Sequence, residues 1–353
     1  METCILSTAD EAAWDGWLAR LPGADAHFRA AYHRAHEAHG DGRARAFVAT
    51  EGDSLFFQAA LWRDITQVAG RPAPVTGFDL ETVYGYGGPL WTGGDGAFLD
   101  RAWAAYREWC AAGRVVAEFT RYNPLSQNQE AARGTAVAQD REVVVVDLGG
   151  DAAALWERYP SVQRNMVRKA EKRGLTADEA AAADVLPGFA ALYADNMQRL
   201  EAAPYYFFGL PYFQDLQRGL GTGIRFFAAR LEGRLAAACC VLLYGDRMHY
   251  HLSASDAALR DAAPVNLLLH AVARWGQANG FRWLHLGGGR TPRPDDGLLG
   301  FKSSVSRLRR PFFIGRYVQD RAAYDVLCRT WMESKGLSER PPYFLMYRLE
   351  NAP

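Results

Sequence analysis

The chain has 353 residues, with 40 Lys and Arg against 40 Asp and Glu, so its formal net charge is zero. Hydrophobic residues make up 49% and charged residues 23%, which excludes a disordered or collagen-like chain and suits two folded domains with sizeable cores. Zero net charge excludes a globally basic nucleic-acid coat but leaves room for a local basic patch.

In chain order, the N-terminus METCILSTADEAAWDGW carries no basic n-region and no apolar h-region, so no secretory signal is expected. Arg45 to Ile65 reads as two apolar runs around a Glu-Gly-Asp turn, a hairpin signal. The amphipathic stretch Leu99 to Ala112 predicts a helix, Gly113 a left-handed cap, and Val115 to Thr120 a strand. Glu142 to Asp147 predicts another strand, and a helix is expected from about Ala152. The same unit then recurs: a hairpin over Arg225 to Tyr244 around Glu-Gly-Arg, a helix over Val265 to Asn279, Gly280, and a strand over Phe281 to Leu286. Trp109 and Trp275 sit at matching places near the two helix ends. Pro311 to Arg348 returns to aromatic and β-type residues, FFIGRYV and PPYFLMYRL. The expected fold is α/β (α+β): two tandem domains, each a mixed sheet flanked by helices. Domain 1 is expected over residues 1–148, completed by strands within 311–353, and domain 2 over 149–310. No coiled-coil heptad appears.

Four segments carry candidate chemistry. In Ser161 to Gly174, Arg164, Arg168, Lys169, Lys172 and Arg173 recur at near-helical spacing with Glu171 the one acid, a pattern that suits phosphate binding or a solvated face. In Gly287 to Arg310, three glycines follow directly on a predicted strand and Phe301-Lys302 comes shortly after. Glycines there let a backbone turn sharply and approach a ligand, and a lysine beside them suits oxyanion stabilisation. The segment is neither GxGxxG nor a Walker loop. Tyr84 to Pro89, YGYGGP, predicts a tight loop presenting Tyr84 and Tyr86, or a packing loop. Pro204 to Phe208, PYYFF, places Tyr206 among rings that suit either a core or a stacking platform. His249 and His251, two apart on a predicted strand, make no metal site without a third ligand, so no metal is expected. Ser253 and Ser255 lack a nucleophile elbow. The five cysteines, Cys4, Cys110, Cys239, Cys240 and Cys328, form no CxxC pair, which argues against a disulfide framework or zinc ribbon and for a reducing cytoplasm. No run approaches the roughly 20 apolar residues of a membrane span.

Taken together, these segments resemble the Fem-type aminoacyltransferases, the tandem-GNAT family of FemX-like peptidoglycan bridge enzymes, over most of the chain. The resemblance is carried by YGYGGP at Tyr84, EFTRYNPL at Glu118, RNMVRKAEKRG at Arg164, PYYFF at Pro204, APVNLLLHAVARWGQANGFRWLHLGGG at Ala263 and GLLGFKSSVS at Gly297. The chain lacks the coiled-coil arm of the larger Fem proteins and so looks like the compact kind. The resemblance implies transfer of an amino acid from aminoacyl-tRNA to an amine, in a peptidoglycan precursor or in a small peptide or nucleoside intermediate. It also implies that Phe301 meets the terminal adenosine, Lys302 stabilises charge on the reacting ester, and Arg164 and Arg168 meet phosphates of the acceptor or the tRNA end. No cofactor is implied.

Such a reaction needs no protein nucleophile, because an aminoacyl ester is already activated. Alignment of the reactants supplies many kcal/mol, and one well-placed cation roughly 3–4 kcal/mol more. The proton acceptor is open; Asp256, Asp295 and Asp296 lie near in sequence. The alternative is a GNAT N-acyltransferase using acetyl-CoA or acyl-CoA. Such enzymes present R/QxxGxG/A before the crossing helix; Arg260-Asp-Ala-Ala-Pro-Val keeps the Arg, lacks the glycines, and loses a donor at Pro264. A non-catalytic binding protein on the same scaffold is a third reading.

Overall fold

The computed structural model describes residues 1–350. The chain divides into two units, one made of Met1–Asp140 with the chain from Phe312 onward, the other of Arg141–Pro311.

Unit 1 begins with strand β1 (Glu2–Leu6), helices α1 (Glu11–Leu18) and α2 (Ala30–His39), and the hairpin of β2 (Arg43–Glu51) and β3 (Ser54–Asp64). A two-residue pair, β4 (Gln67–Val68) and β5 (Arg71–Pro72), precedes β6 (Phe78–Glu81) and β7 (Leu90–Thr92). Helix α3 (Gly96–Ala112) crosses to β8 (Val115–Arg121). Its cap departs from the sequence reading: Gly113 has an ordinary negative φ, and Arg114 takes the left-handed conformation at φ 57° instead. A Cβ on Gly113 would lie 2.5 Å from the Trp62 ring, so close packing explains this glycine.

The sheet of unit 1 runs β1-β2-β3-β6-β8-β15, where β15 (Arg309–Val318) enters from the end of the chain. All neighbours are antiparallel except β6 and β8. Helix α10 (Arg321–Lys335) follows β15. The segment PPYFLMYRL, expected as a strand, instead makes a 3-10 turn at Met346–Arg348. Pro341 and Pro342 have no N–H to give to a ladder. Apolar clusters among the described residues fill much of the unit. One lies under α3 and includes Phe47, Phe56, Trp103 and Tyr106; another joins Val116, Leu327, Trp331 and Tyr347. Arg348 bonds the buried Asp79 at 2.6 Å and donates to the Arg63 carbonyl, and Arg63 in turn pairs with Asp79 and Glu81. Burial pushes the Glu81 carboxyl up, but Arg121 and Arg63 more than offset it and hold it below its ordinary range.

Unit 2 takes its first strand from β9 (Ala136–Asp147) and continues through α4 (Ala152–Arg158), α5 (Ser161–Lys172), β10 (Leu175–Ala180), α6 (Ala182–Arg199) and α7 (Leu210–Leu220). Then come β11 (Ile224–Leu231), β12 (Arg234–Tyr244), β13 (Arg247–Ser255), α8 (Pro264–Ala278), β14 (Trp283–Gly288) and α9 (Gly297–Val305). Its sheet order is β9-β14-β13-β12-β11-β10, with β13 and β14 the one parallel pair. The strand beside β14 is thus β9, the first of its unit along the chain, while the strand beside β8 is β15, the last of its unit. The main core joins Val144, Phe227, Val241, Met248, Leu268, Val272, Leu284 and Leu299. Gly280 takes φ 79° after α8, as its sequence position predicts. Among the described residues no helix is long and apolar enough to cross a membrane.

Candidate functional site

Strands β13 and β14 pair only over Arg247↔Trp283, Met248↔Leu284 and His249↔His285, although β13 runs on to Ser255 and β14 to Gly288. Each strand is irregular on its far side at this point. The β12 register shifts between Cys240 and Val241, leaving His251 as the extra residue, and the β9 register shifts so that Leu286 is extra. Bulges bend the strands that carry them. The result is a wedge between two adjacent strands whose facing N–H and C=O groups no longer bond across it.

Lys302 stands at the β14 end of this wedge. Its Nζ donates to the Gly288 carbonyl at 2.7 Å. Gly287 lies at φ 81°, and a Cβ there would sit 3.1 Å from the same Nζ, so two consecutive glycines form the seat of the ammonium. Burial draws the Lys302 pKa down to about 8, with Asp296 opposing the shift. Phe301, one residue earlier on α9, packs against the main core of the unit.

Asp296 is the N-cap that aims α9. One carboxylate oxygen accepts from the N–H groups of Leu298 and Leu299; the other accepts from the N–H groups of Arg290 and Thr291 and from the Thr291 hydroxyl, all at 3.0–3.1 Å. The bond from Leu299, and then those from Thr291 and Arg290, hold this carboxyl far below the usual range. A carboxylate so satisfied is a poor proton acceptor. Arg141 donates to the Gly289 carbonyl at 2.9 Å and fixes the other side of the glycine loop. Asp295 pairs with Arg293, and Asp256 caps its own 3-10 turn and pairs with Arg234.

The basic helix α5 packs against both α8 and α9. Its buried Gln163 exchanges two hydrogen bonds with Asn266 in the first turn of α8: Nε2 to the Asn266 carbonyl at 3.0 Å and Asn266 Nδ2 back to Oε1 at 2.7 Å. Arg164 donates to the Tyr159 carbonyl at 2.5 Å and to the Glu157 carbonyl at 3.2 Å, capping the end of α4. Arg168 lies over the Trp156 ring at 5.3 Å and, with Asn165, Lys169, Lys172 and Arg173, lines a shallow cationic cleft. Ahead of α8, Ala263 takes φ 58°, a conformation that glycine adopts without strain, and Pro264 opens the helix without an N–H.

The sequence-proposed residues thus divide. Lys302, Phe301, Arg164 and Arg168 ride on two helices of unit 2 that touch. Tyr206 belongs to the same unit, in an exposed aromatic surface with Tyr205 and Phe207, each about 40% accessible. Behind that surface, Phe208 stacks on Tyr212 at 4.4 Å, and the Tyr212 hydroxyl lies 3.3 Å from His251 Nε2 on β13. Tyr84 and Tyr86 belong to unit 1. The Tyr84 carbonyl accepts from the Tyr32 hydroxyl at 2.8 Å, and Tyr86 sets its ring edge-to-face with His27 and Phe312. A Cβ on Gly85 would come within 2.6 Å of His27, and one on Gly88 within 2.8 Å of Tyr122, so this loop is closely packed. Sequence reasoning missed Asp296 as the organiser of the glycine loop, although an aspartate just before a helix start is a recognisable cap signal. It also missed the His249–His285 ring pair, 5.1 Å apart at the last paired step of the wedge, and the Gln163–Asn266 clamp, which no local pattern announces.

The family described as Acetyltransferase (GNAT) domain matches residues 161–296, a stretch that begins with α5 and ends at Asp296. The crystal structure of FemX is similar in fold at 14% identity, with a TM-score of 0.69 over 92% of this chain and 99% of that one. The structure of L-PGS from Bacillus licheniformis is similar at 12% identity and a TM-score of 0.53, over 92% of this chain and 96% of that one. No curated protein matches the sequence.

Proposed function

We propose that the protein is an N-acyltransferase that moves an aminoacyl group from aminoacyl-tRNA to an amine, with no resident cofactor. The observation that carries the reading is the Lys302 ammonium seated on Gly288 at the open end of the β13–β14 wedge. In this scheme the neutral acceptor amine attacks the ester carbonyl. The C–N bond forms, charge collects on the carbonyl oxygen beside Lys302, and the ester C–O bond then breaks. The terminal ribose hydroxyl of the tRNA leaves with the proton that the amine gives up. Phe301 supports the terminal adenosine, and Arg168 with its cationic neighbours on α5 meets phosphate. Arg164 contributes by holding α4 and α5 together. Tyr206, in the exposed aromatic surface of unit 2, meets the acceptor, a peptidoglycan precursor or a peptide or nucleoside intermediate; Tyr84 and Tyr86 are substrate-binding candidates of unit 1. The protein acts in the cytoplasm, where charged tRNA is available. A precisely placed cation at a developing oxyanion is worth roughly 3–4 kcal/mol, and reactant alignment supplies much of the rest.

A specific feature supports acyl-CoA as the alternative donor: β13 and β14 part after three paired steps, an opening that suits an extended chain, and Ala263 holds a glycine-like turn ahead of α8. Pro264 weighs against it by removing one N–H from the helix start. Incubating the protein with a pool of radiolabelled aminoacyl-tRNAs, and separately with acetyl-CoA, in the presence of candidate amines decides between them. Label moving from tRNA into an amide is the expected result. Transfer from acetyl-CoA alone would replace the donor, and no transfer from either would overturn the enzyme reading.

A further inference from the structure

Unit 1 holds a cleft of about 430 Å³ that the transfer scheme does not use. Its walls carry Arg316 from β15, Arg321 from the first turn of α10, and Arg340; Tyr317, Tyr324 and Phe344 supply its rings. We propose that this cleft binds a nucleoside phosphate unit, with the arginines on the phosphate and the rings against the base.

Charge is the first argument. Asp325 pairs with Arg340 at 2.8 Å and reaches Arg321 only at 4.0 Å, while Arg316 is exposed and has no carboxylate partner among the described residues. Asp320, the other acid nearby, is engaged as the cap of α10 through the Ala323 N–H. Three guanidiniums around one cleft, with one shared carboxylate, leave a net positive site that an anion relieves. Guanidinium edges match phosphate oxygens in a bidentate fork.

The rings are the second argument. Tyr324 is pinned by its hydroxyl bond to the Phe344 carbonyl at 2.6 Å, and Phe344 lies against it at 5.4 Å with the rings tilted by 31°. Arg321 and Arg340 both lie over Tyr324 at 5.8 Å, and Arg107 lies over Tyr317 at 3.5 Å. The platform is therefore rigid, and it alternates planar cations with rings, the surface on which nucleobases stack. A carboxylate peptide would satisfy the arginines but offer no flat face to this surface of rings and guanidiniums, so the nucleotide is favoured. A free nucleotide and one residue of an RNA strand both present this chemistry.

The test is calorimetric titration of the full chain with adenosine 5′-monophosphate, ribose 5-phosphate, inorganic phosphate, a four-nucleotide RNA ending in CCA, and a glutamate-rich peptide. Saturable binding of the monophosphate, about tenfold or more tighter than that of ribose phosphate, is expected from base stacking. The double variant Arg316→Glu, Arg321→Glu should weaken it by about tenfold or more per arginine with an unchanged melting temperature. Phe344→Leu should reduce the preference for the nucleotide over ribose phosphate while leaving phosphate binding in place. Tighter binding of the RNA than of the monophosphate assigns the site to a strand, and equal binding assigns it to a free nucleotide. No saturable binding of either, equal binding of phosphate or of the acidic peptide, or indifference to the arginine reversals would overturn the proposal. Because Arg316 and Arg321 belong to unit 1 and Lys302 to unit 2, a failed titration leaves the transfer reading untouched, and a failed transfer assay leaves this one untouched.

Discussion

The two units match over five strands, β1-β2-β3-β6-β8 and β10-β11-β12-β13-β14, and differ in the origin of the sixth and at the parallel pair. In unit 1 the parallel pair β6 and β8 stays bonded along all four residues of β6, Phe78 to Glu81, and contact resumes at Gly87 with Tyr122. In unit 2 the corresponding β13 and β14 bond over three steps and then part, with six residues of β13 still to run. The strand ends are filled differently too. Unit 1 closes its pair with Asp79, Glu81, Arg121 and Arg348 in mutual ion pairs, and with the buried Tyr122 and Asn123. Unit 2 leaves glycines there and one lysine. The same repeat thus yields a closed strand pair in one copy and an open strand pair in the other, because side-chain volume and paired charge were placed in one and withheld from the other.

The comparison breaks most sharply at Lys302. Lys302→Ala should lower single-turnover transfer by roughly two to three orders of magnitude without lowering the melting temperature; equal rates in wild type and variant would remove unit 2 as the active edge. In unit 1 the counterpart is Asp79→Ala, which strands Arg63 and Arg348. It should cost about 3 kcal/mol in denaturant unfolding and leave kcat within about twofold at a permissive temperature.

Two glycines sharpen the contrast further. Gly85→Ala in unit 1 and Gly287→Ala in unit 2 both force alanine into a left-handed backbone, at a cost of about 1–3 kcal/mol each. The second should also depress kcat, by about tenfold, because its methyl group displaces Lys302. A smaller effect is expected on α5. Arg168→Glu should raise KM several-fold with stability shifted by under about 0.5 kcal/mol, whereas Arg164→Ala should cost about 1 kcal/mol of stability through the lost cap on α4.

Acidity gives a finer probe. Lys302 binds its proton less tightly folded, near 8, than its ordinary value of 10.5. Below pH 8 both states hold the proton and the folded state bears the cost of burying it. Between about 8 and 10.5 the folded state has shed the proton and the unfolded state has not, so stability rises with pH across that window. Denaturant midpoints of wild type relative to Lys302→Met should therefore climb from pH 8 to 10. Transfer that needs the cation should fall above about pH 8, and Lys302→Arg should abolish that fall.

Much of this was legible in the residues. The Glu-Gly turns, the amphipathic helices and the glycine-rich end of β14 announce hairpin, crossover and turn because each rests on local geometry. The pairing of Lys302 with the glycines was legible as proximity, since both lie on one strand–loop–helix connection. Partner choice between strands was not. Nothing local tells β9 to join β14 or β15 to join β8, and the division between the units falls at Asp140, inside β9, whereas the turn residues had suggested Gly149. Arg164 is the clearest case at the site. Its spacing marks a basic face, yet its work depends on two carbonyls of a neighbouring helix whose direction no helical periodicity encodes.

The late arrival of β15 bears on how the protein is made. The ribosome delivers β1 to β8 first, but the strand that flanks β8, the helix α10 and the Arg348 contact to Asp79 come after all of residues 141–311. At ordinary elongation speeds of about 5–20 residues per second, unit 1 waits roughly 10 to 30 s with one side of β8 unpaired. Unit 2, which already holds β9, completes its own sheet sooner. The half that comes last to its native form is thus the half that is synthesised first, and its exposed strand is where nascent-chain chaperones would be needed.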